Sequence, residues 1–443
     1  MSKQYDPSLA LVQVNHLNTG QKISAAIGSL GLGILLFAWA AQQAPMPGIW
    51  LPTALLSLTV GVLGYAHFTY KDSPAGIKNN GVMFHSLSNR GLWAYVAGVL
   101  LTGFYVCLYW YADYLKGLIA LFEPLSQWAR HRPSDQWFVY GSLYTLGVLI
   151  LGAKFIYKYR HNRYQIIRTV SVMFFQFVFA WLVPAWMQMM NQPEFYFTYF
   201  WPLKYDYLFP STVNWLTNST HLGVFLIFWG AVMTFVATPV LTYFFGKRWY
   251  CSWVCGCGAL AETTGDSFRT LSDKSLSAWK IERYLIYSVL VFIVLVTILL
   301  WANSYKEGAI LGEWSQTASK TYSFLIGSIF SGVIGTGFYP ILGNRSWCRF
   351  GCPQAAILGI FQKYFSRFRI TTNGGQCISC GNCSTYCEMG IDVKAYAQRG
   401  QDIVRASCVG CGICSAVCPR GVLRLENGSV DIFDRGSLVR NEH

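Results

Sequence analysis

The chain has 443 residues and a formal charge of +14 at pH 7, from 34 basic and 20 acidic side chains. Only 12% of its residues are charged, about half the share of a soluble domain, whereas 53% are hydrophobic and 17% are aromatic. This composition excludes a soluble globular protein and a disordered or collagen-like chain, because apolar residues are too abundant and the charges are dispersed.

Eight uncharged apolar stretches are long enough to cross a bilayer, which takes roughly 20 helical residues. An even number of spans places both chain termini on one side of the membrane. We therefore predict an all-α polytopic membrane protein of about eight transmembrane helices. The predicted spans are about 23–41, 49–70, 91–115, 137–157, 168–190, 222–245, 284–303 and 322–342.

The basic residues indicate which side that is. The N-terminal arm and the loops 71–90, 154–168 and 247–283 contain 16 Lys and Arg residues, whereas the loops on the opposite side contain six. Because cytoplasmic loops carry the excess of basic residues, we predict a multi-pass protein of the cell inner membrane with both termini in the cytoplasm. The charge therefore gives no support to nucleic-acid binding.

A ten-residue pattern occurs twice, at 246–255 and 343–352, after the sixth and eighth predicted spans. Each copy has a glycine, an arginine, an aromatic residue and a Cys-x3-Cys pair at the same offsets. Two parallel copies would present four thiols at one depth on the cytoplasmic side. We predict a further iron-sulfur or metal centre there, with redox-active thiol pairs or buried free thiols as the alternatives. Its candidate ligands are Cys251, Cys255, Cys348 and Cys352.

Two further cysteines lie outside this pattern and outside the C-terminal clusters. Cys257 is a spare thiol, close enough to Cys255 to replace one of the four ligands. Cys107 lies inside the third span, where we expect it to serve packing alone.

After residue 370 the hydropathy falls, and two runs of four cysteines follow with the spacing Cys-x2-Cys-x2-Cys-x3-Cys. This spacing holds two [4Fe-4S] clusters, and the fourth cysteine of each run binds the other cluster. Zinc is the alternative, but zinc sites pair two Cys-x2-Cys elements across a longer gap, often with histidine. The first predicted cluster takes Cys377, Cys380, Cys383 and Cys418, and the second takes Cys408, Cys411, Cys414 and Cys387.

Two features near these runs carry structural expectations. Glu388 stands where a proline usually follows the fourth cysteine, and we expect it to loosen the backbone around Cys387. Residues 355–369 mix aromatic and basic side chains, and we expect them to form a short helix on the lipid headgroups that seats the next domain.

Paired Cys-x3-Cys motifs after membrane spans, followed by a two-cluster ferredoxin domain, resemble the polyferredoxin-type membrane iron-sulfur proteins. These include the membrane ferredoxin of periplasmic nitrate reductase systems, the C-terminal half of the nitrous oxide reductase accessory flavoprotein, and the assembly factor of cbb3-type cytochrome oxidase. The resemblance covers about residues 220–425. In these relatives a proline usually follows the motif; Cys352-Pro353 keeps it, whereas Gly256 follows Cys255.

We thus predict three regions: N-terminal transmembrane helices at 1–220, transmembrane helices with the two cysteine hairpins at 221–369, and a cytoplasmic α+β two-[4Fe-4S] ferredoxin domain with a tail at 370–443. The first hypothesis is a membrane electron-transfer protein between cytoplasmic-side clusters, the quinone pool and a periplasmic redox partner. That partner would be a flavoprotein, cytochrome or reductase.

A quinol dehydrogenase activity is one form of this hypothesis, although the sequence names no catalytic residue. The alternative is an accessory or maturation factor that reduces metal or thiols during assembly of a copper or haem respiratory enzyme. No nucleotide fingerprint or haem attachment motif is visible in the sequence.

Overall fold

The fold is described from a computed structural model, which covers residues 17–72, 90–219, 221–306, 308 and 312–428. Within this part, seven helices are long and apolar enough to cross a membrane. They coincide with the first seven predicted spans, which agrees with a multi-pass membrane protein. Their bounds are Thr19–Ala41, Pro47–Tyr70, Leu92–Trp110, Gln136–Lys158, Arg163–Met189, Leu222–Phe245 and Leu276–Tyr305.

The eighth predicted span is helical but interrupted, so the total of eight remains a prediction. An α-helix at Trp314–Tyr322 continues as a π-helix at Ser323–Ile334, and a turn then precedes a short helix at Tyr339–Leu342. Proline removes one backbone N–H donor and clashes with the carbonyl four residues earlier. The helix is therefore interrupted by a turn just before Pro340.

The same effect of proline acts inside two other spans. Pro184 follows a π-helical segment at Phe175–Leu182, and Pro239 follows one at Met233–Ala237. A π-turn widens the helix and re-routes the hydrogen bonds that the proline cannot make.

Shorter elements complete the described fold. The α-helices are Lys116–Leu121, Glu123–Arg130, Pro210–Ser219, Arg248–Cys251, Gly256–Thr263, Pro353–Tyr364, Asn382–Thr385, Val393–Gln398 and Ile413–Ala416, with a π-turn at Trp347–Gly351. The 3-10 helices are Ala112–Leu115, Tyr205–Leu208, Thr264–Leu271 and Gly374–Gln376. Strands β1 (Phe368–Thr372) and β2 (Leu423–Asn427) pair antiparallel, with Phe368 opposite Asn427, and enclose both C-terminal cysteine runs.

Loops that the charge count places on one side of the membrane meet in the structure. Arg160 donates hydrogen bonds to the carbonyls of Tyr70 and Lys71, both at 2.7 Å. Arg90 donates to the carbonyl of Leu271 at 3.0 Å. The loops after the second, fourth and sixth spans therefore share one face of the protein.

A buried network of charges joins that face to the ferredoxin domain. Glu388 of the ferredoxin domain accepts a hydrogen bond from Arg269 at 2.7 Å and pairs with Arg345 at 3.0 Å. Glu262 pairs with Arg345 at 2.6 Å and with Arg168 at 2.7 Å. All five side chains are at most 2% exposed. The network thus bridges the fifth span, both cysteine hairpins and the C-terminal domain.

Electrostatics inside this network keep its carboxylates ionised. Burial opposes the charge on Glu262, but Arg168, Arg269 and Arg345 together hold the pKa of that carboxyl well below its usual range. The pKa of Asp266 is also lowered, because Lys158 outweighs its burial. The ionised Glu262 therefore stabilises the fold completely above about pH 4.3, the pKa of Glu in an unfolded chain. This stabilisation is lost as the pH falls towards the lower pKa of Glu262 in the folded protein.

These contacts correct the expectation that Glu388 loosens the chain around Cys387. The Glu388 side chain is fully buried, and its backbone carbonyl also accepts a hydrogen bond from Ser272 at 2.6 Å. The glutamate therefore fixes this turn by ion pairs where a proline would fix it by its ring.

The segment after the second hairpin forms the predicted short helix, and one side of it contacts protein. Helix 353–364 packs against spans 222–245 and 276–305 and buries Ala356 and Leu358, whereas Tyr364 and Phe365 stay exposed. Gln362 donates to the carbonyls of Arg405 and Cys408, each at 2.7 Å. The helix thus seats the ferredoxin domain, but through protein contacts.

Replacing Glu388 by Gln tests the network. The variant keeps the side-chain shape but leaves Arg269 and Arg345 short of a counter-charge, which we expect to lower the free energy of unfolding by about 3 kcal/mol. Tryptophan fluorescence during denaturant titration in detergent measures this. The control is Asp113→Asn, which breaks an exposed pair with Lys116 and should have little effect. Equal curves for the two variants would contradict a stabilising role for the network.

Candidate metal centres

Four cysteines surround one small cavity in the ferredoxin domain: Cys377, Cys380, Cys383 and Cys418. The structure therefore brings three thiols of the first run together with the last thiol of the second run, as the spacing predicts. Gly381 has a left-handed backbone at φ +79°, which turns the loop between the second and third cysteines. The backbone amide of Ser384 donates to the thiol of Cys383. Four converging thiols with an amide donor fit a [4Fe-4S] cluster.

The second set of candidate ligands, Cys387, Cys408, Cys411 and Cys414, is more deeply buried than the first set, Cys377, Cys380, Cys383 and Cys418. Cys408 and Cys414 are 7% and 6% exposed, whereas Cys380 is exposed to solvent. Burial raises the pKa of the Cys414 thiol well above its usual value, and the neighbouring thiols of Cys387 and Cys408 raise it further. These thiols therefore lie within electrostatic range of one another, and a thiolate there needs positive charge such as cluster iron supplies.

Backbone geometry also fits a cluster at this second set. The amides of Met389 and Ile391 donate to the thiol of Cys387, and the amide of Gly410 donates to that of Cys408. Gly412 has a left-handed backbone at φ +73°, matching Gly381 in the first run. Hydrogen bonds to ligand sulfurs stabilise their negative charge and help to set the reduction potential.

The loop of the second set is docked on the membrane region by four side chains. Gln362 donates to the carbonyl of Cys408 at 2.7 Å, and Ser252 donates to that of Val409, also at 2.7 Å. The other two bonds run from Tyr164 to the carbonyl of Gly410 at 2.9 Å and from Gln165 to that of Cys411 at 2.8 Å. The second set thus faces the hairpins, and the first set faces solvent.

The two cysteine hairpins have the same local geometry. Gly246 and Gly343, at φ +69° and +93°, each end the preceding helix in a conformation that favours glycine. One helical turn later comes the first cysteine of each pair. The second cysteine, Cys255 or Cys352, is the extended residue that begins the next helix.

That position exposes each second thiol to the N-terminal end of a helix. The amide of Ala355 lies 3.4 Å from the sulfur of Cys352, and the amides of Cys257 and Gly258 donate to Cys255. Helix N-termini stabilise negative charge. The pKa of Cys255 is lowered to about 7, chiefly by the hydrogen bond from Cys257, whereas burial holds the pKa of Cys352 well above its usual value.

Steric contacts explain why Gly256, and not a proline, follows Cys255. A Cβ atom on Gly256 would lie 2.2 Å from the hydroxyl of Tyr199 and 2.7 Å from Oε1 of Gln176. Any side chain would therefore displace these neighbours, whereas Pro353 of the second copy occupies the first position of its helix. The two copies remain equivalent in backbone geometry.

The structure places all four hairpin cysteines in one buried region, each 5–6% exposed. Burial raises the pKa of Cys251 to about 12, opposed by Lys247 and raised further by the thiols of Cys255 and Cys348. Cys257 packs against both hairpins. Cys107 belongs to a different hydrophobic cluster, among spans 19–41, 92–110 and 136–158.

Two buried cations beside these thiols were not anticipated from the sequence. Nη1 of Arg345 lies 3.7 Å from the sulfur of Cys348. Lys247 is 1% exposed, and its charge opposes the rise that burial causes in the pKa of Cys251, Cys348 and Cys408. Lys247 therefore lies between the hairpin thiols and the second ferredoxin set. The repeated Gly-x-Arg pattern was the available signal for Arg345, and nothing distinguished Lys247.

One further acidic cluster adjoins the second set. Ligand atoms of Glu262, Glu388 and Cys411 lie within 4.8 Å of one another. Arg269 and Arg345 already pair with these carboxylates, so the cluster belongs to the buried ionic network. It places that network directly beside a candidate cluster ligand.

Two family models of iron-sulfur binding domains match the chain. A model described as a 4Fe-4S binding domain matches residues 226–275 and 324–372, which contain the two hairpins. A model described as a 4Fe-4S dicluster domain matches residues 376–423, which contain both ferredoxin runs. No solved structure matches the chain.

Curated relatives point the same way. YccM of Escherichia coli, provisionally named an electron transport protein, is 28% identical over 42% of this chain and 52% of its own length. The methylamine utilization ferredoxin-type protein MauN of Methylobacillus flagellatus is 27% identical over 33% of this chain and 50% of its own length. The ferredoxin-type protein NapH of Escherichia coli is 27% identical over 38% of this chain and 56% of its own length.

The chain thus spans about half the length of the curated relatives it matches. These similarities confirm the resemblance to polyferredoxin-type membrane iron-sulfur proteins, and they support an iron-sulfur protein of electron transport.

Single cysteine variants test the ferredoxin ligands. We expect Cys380→Ala and Cys411→Ala each to lower the iron content and to remove a different component of the reduced EPR spectrum, because they belong to different clusters. Cys107→Ala is the control and should keep the full iron content. Full iron in both ferredoxin variants would overturn the assignment.

A charge-removing variant tests the role of Lys247. Removing a buried positive charge near two centres makes each harder to reduce, so Lys247→Met should lower their potentials by roughly 60 mV or more, equivalent to about 1.4 kcal/mol per electron. EPR-monitored redox titration measures the shift. Arg399→Gln, on the exposed surface of the ferredoxin domain, is the control. Unchanged potentials in the lysine variant would exclude this electrostatic effect.

Proposed function

We propose that this chain is a membrane electron-transfer protein with three cofactor sites in series. The exposed first ferredoxin set exchanges electrons with a soluble donor or acceptor. The docked second set connects it to the four hairpin cysteines, which exchange electrons with quinone and with a redox partner on the far side of the membrane. Each [4Fe-4S] cluster supplies a carrier for one electron.

One observation carries this proposal: a single hydrophobic cluster contains cysteines of all three sets. Cys383 of the first set, Cys408 and Cys414 of the second, and Cys251 and Cys255 of the hairpin set are all among its buried members. The cysteines of the three sets thus share one apolar core. This arrangement favours electron transfer within the protein over loss to solvent.

The three sets differ in their exposure to solvent, which indicates where electrons would enter and leave the protein. Cys380 is exposed and the neighbouring Ile378 is 55% exposed, so a partner protein can approach the first set closely. The hairpin thiols lie at the ends of the spans, at most 6% exposed. Electrons would therefore enter or leave at the surface of the ferredoxin domain and at the membrane.

The third centre is supported by the chemistry of the hairpins. They present four buried thiols, two of them at helix N-termini, with Lys247 and Arg345 as adjacent cations. The match of each hairpin to a 4Fe-4S binding domain adds to this. Both cations would stabilise cluster thiolates, and Arg345 does so while it also pairs with Glu262 and Glu388.

The proposed orientation places the ferredoxin domain and both termini in the cytoplasm of an inner-membrane protein. The excess of basic residues in the loops that share the hairpin face supports it. Quinone is proposed as a membrane reactant because it diffuses in the bilayer beside the spans. The names of the relatives, which refer to electron transport and to ferredoxin-type proteins, agree with this function.

Quinol reduction tests the relay. In lipid and without oxygen, a short-chain quinol should reduce the ferredoxin clusters of the wild type. In Cys251→Ala/Cys348→Ala, quinol should fail while dithionite still reduces them, because the connection to the membrane is lost. EPR after rapid freezing measures both.

Cys107→Ala serves as the matched thiol control and should behave as the wild type. Unimpaired quinol reduction in the hairpin variant would contradict the relay. A wild type that ignores quinol but accepts electrons from a cytoplasmic reductant would favour the alternative, a maturation factor that reduces metal or thiols.

A further inference from the structure

A large cavity lies between the membrane region and the ferredoxin domain, beside the proposed centres. Its volume is about 870 Å³, within the range of small-molecule sites. Trp279 of span 276–305 forms one wall and Ile360 of helix 353–364 another. Met389 and Tyr396 of the ferredoxin domain close the third side, so all three parts of the protein contribute to the cavity.

The lining of this cavity is strongly basic. Six basic side chains face two carboxylates, and one of these, Glu282, is already paired with Arg349 at 2.7 Å. Within the described residues, neither Lys247 nor Lys274 has a carboxylate within 4.0 Å, and their ammonium groups contact backbone carbonyls. The basic residues are Lys247, Lys274, Arg283, Arg349, Lys363 and Arg405.

Two of these cations come from opposite sides of the domain boundary. The guanidinium groups of Arg283, on the membrane span, and Arg405, in the ferredoxin domain, each lie 5.0 Å from the ring of Trp279. The ring attracts both cations, but among the described residues neither guanidinium has a carboxylate within 4.0 Å to neutralise its charge. The cavity therefore favours an anionic ligand.

An apolar groove between side chains of that one helix leads from the cavity along the span. It has a volume of about 790 Å³ and shares Trp279, Arg283 and Tyr287 with the cavity. It continues over Phe292 to Leu295, about 24 Å from Trp279 at 1.5 Å per residue. The basic cavity continues into an apolar groove along the span, and the two together match the shape and polarity of an amphiphile.

We propose that the cavity binds the phosphate headgroup of an anionic phospholipid, whose acyl chain lies in the groove along span 276–305. The headgroup neutralises the basic lining and joins Arg283 of the membrane region to Arg405 of the ferredoxin domain. A neutral quinone head would leave these cations uncompensated. Free phosphate would leave the groove over Val291 and Leu295 empty.

Lipid retention in the full-length protein tests this site. After reconstitution in nanodiscs of equal phosphatidylglycerol and phosphatidylcholine and mild extraction, native mass spectrometry should find phosphatidylglycerol retained by the wild type. Arg283→Gln/Lys363→Gln should lower its occupancy about tenfold, equivalent to about 1.4 kcal/mol. Both residues are exposed and neither is a candidate cluster ligand, so iron content reports whether the variant is folded.

The matched control is Arg399→Gln/Arg424→Gln, which removes the same charge from exposed positions outside the cavity and should retain the lipid. Equal occupancy in all three proteins, or equal loss in both variants, would overturn the proposal.

Two competitions on the wild type provide an independent check. Inorganic phosphate at millimolar concentration and ubiquinone should both leave the phosphatidylglycerol bound. Displacement by phosphate would identify a free anion as the ligand, and displacement by ubiquinone would identify a quinone; either result overturns the lipid assignment, as does equal retention of phosphatidylcholine.

Discussion

Charges that are removed from water are tolerated only where opposite charges meet them with good geometry, and this constraint fixes the relation between the two halves of the protein. Glu388 in the ferredoxin domain can be buried only where Arg269 and Arg345 reach it. Those arginines are in turn held by Glu262, which Arg168 of the fifth span also contacts. Because Glu388 directly follows Cys387, the network positions a candidate ligand of the second cluster against the hairpins. The electron path proposed here depends on that position.

The two copies of the hairpin show how one sequence pattern acquires two roles. Arg248 and Arg345 occupy the same offset, yet Arg248 lies over the ring of Phe368, 4.7 Å away, whereas Arg345 enters the ionic network. The first copy therefore supports the sheet of the ferredoxin domain, and the second anchors Glu388. Equivalent backbones bring the thiols together, and the different side-chain contacts join the pair to different parts of the next domain.

Much of this architecture could be predicted because its signals are local. Span 222–245 follows from a continuous apolar run, and Cys377 to Cys387 reveal their role by spacing alone. The ionic network could not be predicted, since Glu388 and Arg168 are 220 positions apart and the effect of Glu388 on its turn depends on distant partners. Likewise, the repeat alone does not explain why Gly256 stands where the second copy has Pro353, whereas the structure shows that a Cβ atom there would meet the hydroxyl of Tyr199.

The central claim is that the hairpins complete a series of three clusters. Iron and acid-labile sulfide per chain, measured on anaerobically purified wild-type protein, test it most directly. Three clusters predict about twelve irons with as many sulfides, since each cluster contains four of each. About eight of each would show that the ferredoxin domain alone carries clusters, and the buried hairpin thiols would then have no part in a series of this kind.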